Sequence, residues 1–189
     1  GKRICRDLSF ELEPSQCWGM LGGNGVGKTT LLHTLAGLRE PAQGQITIAG
    51  RPLPDWPHRE LARTVGLLPQ DSIDPFPATV LETALIGRHP HLRAWQWEDA
   101  EDMELAVAAL TAAGLEDIAE RQVETLSGGE RRRLAIATLL TQQPDLYLLD
   151  EPSNHLDLRH QISLLSLLVE RAQHGGIMMT LHDVNLAAR

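Results

Sequence analysis

The 189-residue sequence predicts an α/β fold with a mostly parallel sheet, an N-terminal antiparallel β portion and an inserted α-helical subdomain. Three observations carry this. Short apolar runs at residues 18–21, 65–68, 146–149 and 177–181 alternate with helical patterns, the order produced by crossover connections in a parallel sheet. Residues 71–124, in contrast, carry helical patterns and no convincing strand. A glycine-rich turn also joins the first apolar run to a helix.

Taken in order, Leu8, Phe10 and Leu12 alternate with polar residues as a half-buried strand does, which places Phe10 in the core. Residues 18–21 form a short apolar strand, and Cys17 beside it reads as a small buried hydrophobe. A helix is expected over 30–38. Residues 45–49 form a strand with Ile46 and Ile48 on one face and Gly50 as its turn. The strand at 65–68 ends at Pro69. In the helical region, patterns run over 80–88 and 98–113, and Gly114 is the C-terminal stop. Trp95 and Trp97, at the start of the second helix, read as packing residues. A helix through Leu134, Ala137 and Leu140 precedes the strand at 146–149, and a helix over 159–173 ends at Gly175 and Gly176 before the strand at 177–181. This order divides the chain into a discontinuous core, 1–70 and 137–189, and a helical subdomain, 71–136. Both ends read as truncated, since the sequence opens close to a strand and stops inside a helical pattern.

Composition narrows the function classes. A formal charge of −8 argues against a general nucleic-acid scaffold, so no nucleic-acid partner is expected. Cys5 and Cys17 lack metal-ligand spacing, which suits a reducing compartment. No apolar run approaches the roughly 20 residues that span a bilayer, so membrane association would go through a partner protein. His89 and His91 flank Pro90 with no third ligand nearby in sequence, a poor metal pair.

The chemistry concentrates in three motifs. Gly22, Gly23, Asn24, Gly25, Val26, Gly27, Lys28 and Thr29 fit the phosphate-binding pattern GxxxxGK[ST]. Its glycines turn backbone amides inward, and the following helix, entered through Thr30, adds its positive dipole end. Lys28 would reach the β and γ phosphates, and Thr29 would offer a hydroxyl to Mg²⁺. At 146–152, a buried strand ends in Asp150 and Glu151, placing Asp150 near the metal and letting Glu151 face an attacking water. At 126–130, Ser127 is a good N-cap and Gly128 and Gly129 bare the backbone, a second anion-binding helix start. Arg131, Arg132 and Arg133 follow in its first turns, where cations oppose the dipole and invite phosphate or carboxylate partners.

These motifs, with Gln70 after 67–69, the run 153–157 and His182 in 180–183, resemble the ABC ATPase family over essentially the whole chain. The text at 77–82, 85–91 and 154–158 is similar to ATPase subunits of importers for iron-siderophore, haem or vitamin B12. The resemblance implies a P-loop ABC ATPase core and an ATP- and Mg²⁺-dependent ATPase at the cytoplasmic face of the inner membrane. It would be held there by transmembrane permease subunits and, through them, would serve a substrate-binding protein. The resemblance further implies a head-to-tail dimer with ATP held between one phosphate loop and the opposing Ser127, Gly128 and Gly129. Glu151, His182, Gln70 and Lys28 would be the catalytic groups, Thr29, Gln70 and Asp150 the metal-holding groups, and Asp157 would cross the interface. Several positions depart from the family pattern: Gly23 stands where proline is common, Glu130 where glutamine is frequent and Ser153 where threonine is frequent. The family's adenine-stacking aromatic is expected before Gly1. A soluble ABC ATPase of DNA repair or translation shares the core motifs and is the alternative. A small-molecule kinase would leave 126–130 unexplained.

Overall fold

The computed structural model describes residues 4–70, 77–154, 156–173 and 175–181. In chain order these form β1 (Cys17–Leu21), α1 (Lys28–Leu35), β2 (Thr47–Ile48), β3 (Arg51–Pro52), α2 (His58–Thr64), β4 (Val65–Leu68), α3 (Val80–Leu85), α4 (Ala100–Ala112), α5 (Gly128–Gln142), β5 (Leu146–Leu149), α6 (Leu158–Ala172) and β6 (Gly176–Leu181). The main sheet has the order β1-β6-β5-β4, and every pair in it is parallel. All six residues of β6 are buried, which explains a reading that is apolar but for Thr180.

The helices start where their caps dictate. Thr79, Asp99 and Ser127 each close a reciprocal capping box, with Glu82, Asp102 and Glu130 respectively, and these open α3, α4 and α5. One apolar cluster runs from Val80, Ala84 and Leu110 through Leu134 and Leu140 to Leu68, Leu149 and Met179, so α5 joins the helical part to the sheet. Arg88 donates from Nε to Asp102 at 2.7 Å and from Nη1 to the Thr141 carbonyl at 3.2 Å, all inside this cluster. Burial pushes the Asp102 carboxyl up, but the hydrogen bond from Arg88, the Asp99 amide and the Arg88 charge together hold it below its ordinary value.

The strand expected around residues 8–12 does not form, and Leu8 and Phe10 are exposed. Phe10 lies against Trp18 instead, ring centroids 5.6 Å apart. Cys17 is likewise exposed rather than buried. The cause is the position of β1 at the sheet edge: among the described residues it pairs with β6 alone, and alternation cannot supply the missing partner. The antiparallel portion is the hairpin β2–β3, whose turn residues Ala49 (φ 49°) and Gly50 (φ 75°) both take the positive φ of a type I′ turn. Trp95 and Trp97 are 99% and 85% exposed, not packed, because Trp95 (φ 67°) turns the chain outward before the Asp99 cap. Helix α2 buries no residue and so left no apolar stripe in the sequence.

Candidate functional site

Register brings the functional loops to one edge of the sheet. Leu21 stands opposite Leu181, Leu149 opposite Met179, and Leu68 opposite Leu149. The chain therefore leaves β1 at Gly22, β5 at Asp150 and β4 at Pro69 on the same carboxyl-terminal side, where open α/β sheets bind ligands. His182, which follows β6, lies outside the described residues.

In the loop from Gly22 to Thr29, Gly25 (φ 72°) and Gly27 (φ 110°) take left-handed conformations that a side chain would strain. Among the described residues beyond its chain neighbours, a Cβ at Gly23 would meet nothing within 4 Å, so their packing does not demand glycine there. Lys28 is buried at the start of α1, and its Nζ donates to the carbonyls of Gly22 (2.5 Å) and Gly23 (3.2 Å), which holds the ammonium within the loop. Leu32, fully buried one turn later, anchors α1 behind it. Thr29 and Thr30 are half-buried beside Lys28, Asn24 and Val26 are exposed, and Ile4 lies over Gly27.

Asp150 is fully buried. Its Oδ1 accepts from the Thr180 hydroxyl at 2.6 Å, and its Oδ2 is buried with no hydrogen-bond partner among the described residues. The same Thr180 oxygen accepts from the Glu151 amide at 2.8 Å, so one hydroxyl bridges the consecutive acidic residues. Glu151 takes φ 49°, a conformation unfavourable for its residue type, and receives a hydrogen bond from Asn154 on Oε2. That local strain sits at the point where the two carboxylates diverge.

Ser127 and its neighbours form a separate feature at the head of α5. The Ser127 amide and hydroxyl donate to Glu130 at 2.7 and 2.6 Å, and these bonds, with the Arg121 charge, hold the Glu130 carboxyl below its ordinary value. A Cβ on Gly128 would meet nothing within 4 Å among the described residues beyond its own helix and chain neighbours. Among the described residues, Arg131 donates to the carbonyls of Glu124 and Leu126, Arg132 to five carbonyls at the sheet edge, and Arg133 pairs with His160. Asp157 caps α6 and bonds both the amide and Nδ1 of His160. His89 stands 3.9 Å from Glu98, and His91 bonds the Gln142 carbonyl.

The structure thus brings Gly22 to Thr30, Asp150, Glu151 and the exposed Gln70 to one edge, and keeps Ser127, Gly128 and Gly129 as a second, outward-facing helix start. Sequence reading missed Thr180, Asn154 and the reach of Arg132. Thr180 left a signal, as the lone hydroxyl in the apolar run 177–181.

The chain matches the ABC transporter family over residues 5–154. It is 42% identical to a hemin import ATP-binding protein of Gloeobacter violaceus, covering 100% of this chain and 71% of that protein. Against the ferric enterobactin transport ATP-binding protein of Escherichia coli it is 39% identical, covering 98% and 69%. A solved ATP-binding subunit of an ABC transporter superposes with a TM-score of 0.85 at 25% identity, over 97% of this chain and 75% of that one.

Proposed function

The chain belongs to the ABC transporter family as an ATP-binding, ATP-hydrolysing subunit, and on that premise we propose that it energises import of a ferric siderophore or haem. The observation that carries the ATPase reading is the convergence of the Gly22–Thr30 loop with Asp150 and Glu151 at one sheet edge. The import reading rests on relatives such as the hemin and enterobactin ATP-binding proteins, similar over essentially the whole chain, which does not favour a DNA-repair or translation ATPase. No helix among the described residues is long and apolar enough to cross a membrane, so transmembrane permease subunits would hold the chain at the cytoplasmic face. A substrate-binding protein would deliver cargo to that permease.

In this reading Gly22 to Thr30 cradle the phosphates of ATP, and Lys28 neutralises the β and γ phosphates. Thr29, Gln70 and Asp150 fit Mg²⁺. The buried Asp150 Oδ2 has no hydrogen-bond partner among the described residues, as suits an oxygen facing a hard cation. When bound, the ion supplies charge neutralisation across the phosphate oxygens. Glu151 polarises the attacking water, and His182 contacts the γ-phosphate. Ser127, Gly128 and Gly129 hold the γ-phosphate of the ATP bound to a second copy, and Asp157 crosses between copies. The core over 1–70 and 137–189 and the helical insert over 71–136 share α5 across their boundary, and closure passes through Gln70 to the permease.

The composite site is tested with Glu151→Gln, which keeps size and removes the carboxylate. Hydrolysis is expected to slow by roughly 10²- to 10⁴-fold. Light scattering should then show a dimer with ATP and a monomer with ADP. Adding Ser127→Arg should abolish the dimer while each monomer still binds ATP. A dimer that ignores ATP, or survives Ser127→Arg, overturns the reading. Uptake of labelled haem and ferric siderophore into vesicles holding the complete transporter identifies the cargo.

A further inference from the structure

We propose that Arg132 is a positioning residue through which the signature loop at one ATP site sets the geometry of the hydrolytic groups at the other. Its guanidinium is buried at 4% exposure and donates to five backbone carbonyls. Nη1 reaches Pro69 (2.6 Å) and Gln70 (3.2 Å), Nη2 reaches Asp150 (2.6 Å) and Glu151 (2.8 Å), and Nε reaches Pro152 (3.3 Å). These carbonyls belong to the two loops that present Gln70 and Glu151. The clamp uses the planar five-donor fork of arginine, which lysine, with three donors on one atom, cannot reproduce.

Arg132 also lies on α5, the helix that Ser127 caps. Arg132 stands five positions after Ser127, a rise of about 7.5 Å that a regular helix transmits without slack. This inference rests on the composite-site reading above: Ser127 touches the ATP of the second copy, while Arg132 holds the groups acting on the chain's own ATP. Burying a guanidinium among carbonyls is costly, because its desolvation is offset only by well-placed hydrogen bonds. Such a clamp suits fixed geometry better than bulk stability. In this arrangement, docking of α5 on the partner's ATP orders Gln70 and Glu151 on their own side.

Arg132→Gln and Arg132→Lys, each in the full chain, test this by phosphate release, ATP titration and thermal melting. Arg132→Gln is expected to lower kcat about 10- to 100-fold, the scale of a misplaced reacting group. ATP affinity should stay within about two-fold, because the phosphate loop is untouched, and KM should follow affinity rather than kcat. Arg132→Lys should recover part of kcat. If the Gln variant does not fold, the Lys variant decides. Unchanged kcat in folded variants, equal loss of affinity and kcat, or unfolding of both variants overturns the proposal and leaves Arg132 a stability residue. The Glu151→Gln dimer assay, run in parallel on otherwise unmodified protein, separates failure of this proposal from failure of the composite site.

Discussion

Thr180 shows how much one hydroxyl can hold. It donates to Asp150 Oδ1 and accepts from the Glu151 amide, and it is fully buried, so no water can replace it. Thr180→Val keeps the shape and strips both bonds from a buried carboxylate oxygen and a buried amide. Each such loss costs about 1–3 kcal/mol, so the variant should melt earlier and hydrolyse ATP more slowly. Thr180→Ser should restore both, and a valine variant with wild-type melting and turnover would show that the bridge is dispensable. The sequence makes the phosphate loop and the paired acids legible because their grammar is local: glycines, Lys28 and Thr29 adjoin, and Asp150 ends an apolar run. Thr180 and Arg132 escape it because their partners lie far along the chain, 30 residues for Thr180 to Asp150 and 63 for Arg132 to Pro69. Only folding reveals such pairs.

Elements succeed or fail in sequence reading by what surrounds them. β4 and β5 begin and end where their apolar runs do, since three of the four residues in each are buried. The pattern at residues 8–12 is as regular, yet no partner strand joins it among the described residues, and α2 forms without an apolar stripe. The contact between α5 and the turn that follows α3 is closer than any pattern discloses. A Cβ on Gly87 would press on the Thr138 carbonyl oxygen and fall 2.9 Å from the Gln142 amide nitrogen, both backbone atoms of α5. Gly87→Ala gains at most about 1 kcal/mol in helical preference but incurs overpacking of about 1–3 kcal/mol. The net effect should be destabilising and should force the two elements apart. Thermal melting checks the sign, and a variant as stable as the parent would mean that α5 yields at no cost.

The whole molecule behaves as one unit wherever its core is continuous, and the cluster joining α3, α4 and α5 to β4, β5 and β6 is continuous. Ligand binding at the sheet edge should therefore stabilise the helical part as well, in a single unfolding transition. ATP binds the native state and not the unfolded chain, so at a hundred times its Kd it adds about 2.7 kcal/mol. For a chain of this size that raises the midpoint by roughly 5–10 °C. Differential scanning with ATP and Mg²⁺ on the Glu151→Gln protein, which keeps its ATP, measures the rise. Lys28→Ala should abolish it, because the buried ammonium to which the proposed site assigns neutralisation of the phosphates is gone. A chelator should remove much of it, and Asp150→Asn should make the remaining rise insensitive to the chelator, because Asp150 Oδ2 is the oxygen assigned to the cation. A rise of equal size in Lys28→Ala, or one indifferent to chelation in the parent, would sink the assigned site. Two transitions of which ATP moves only one would mean that α5 does not carry the ligand's effect across the core.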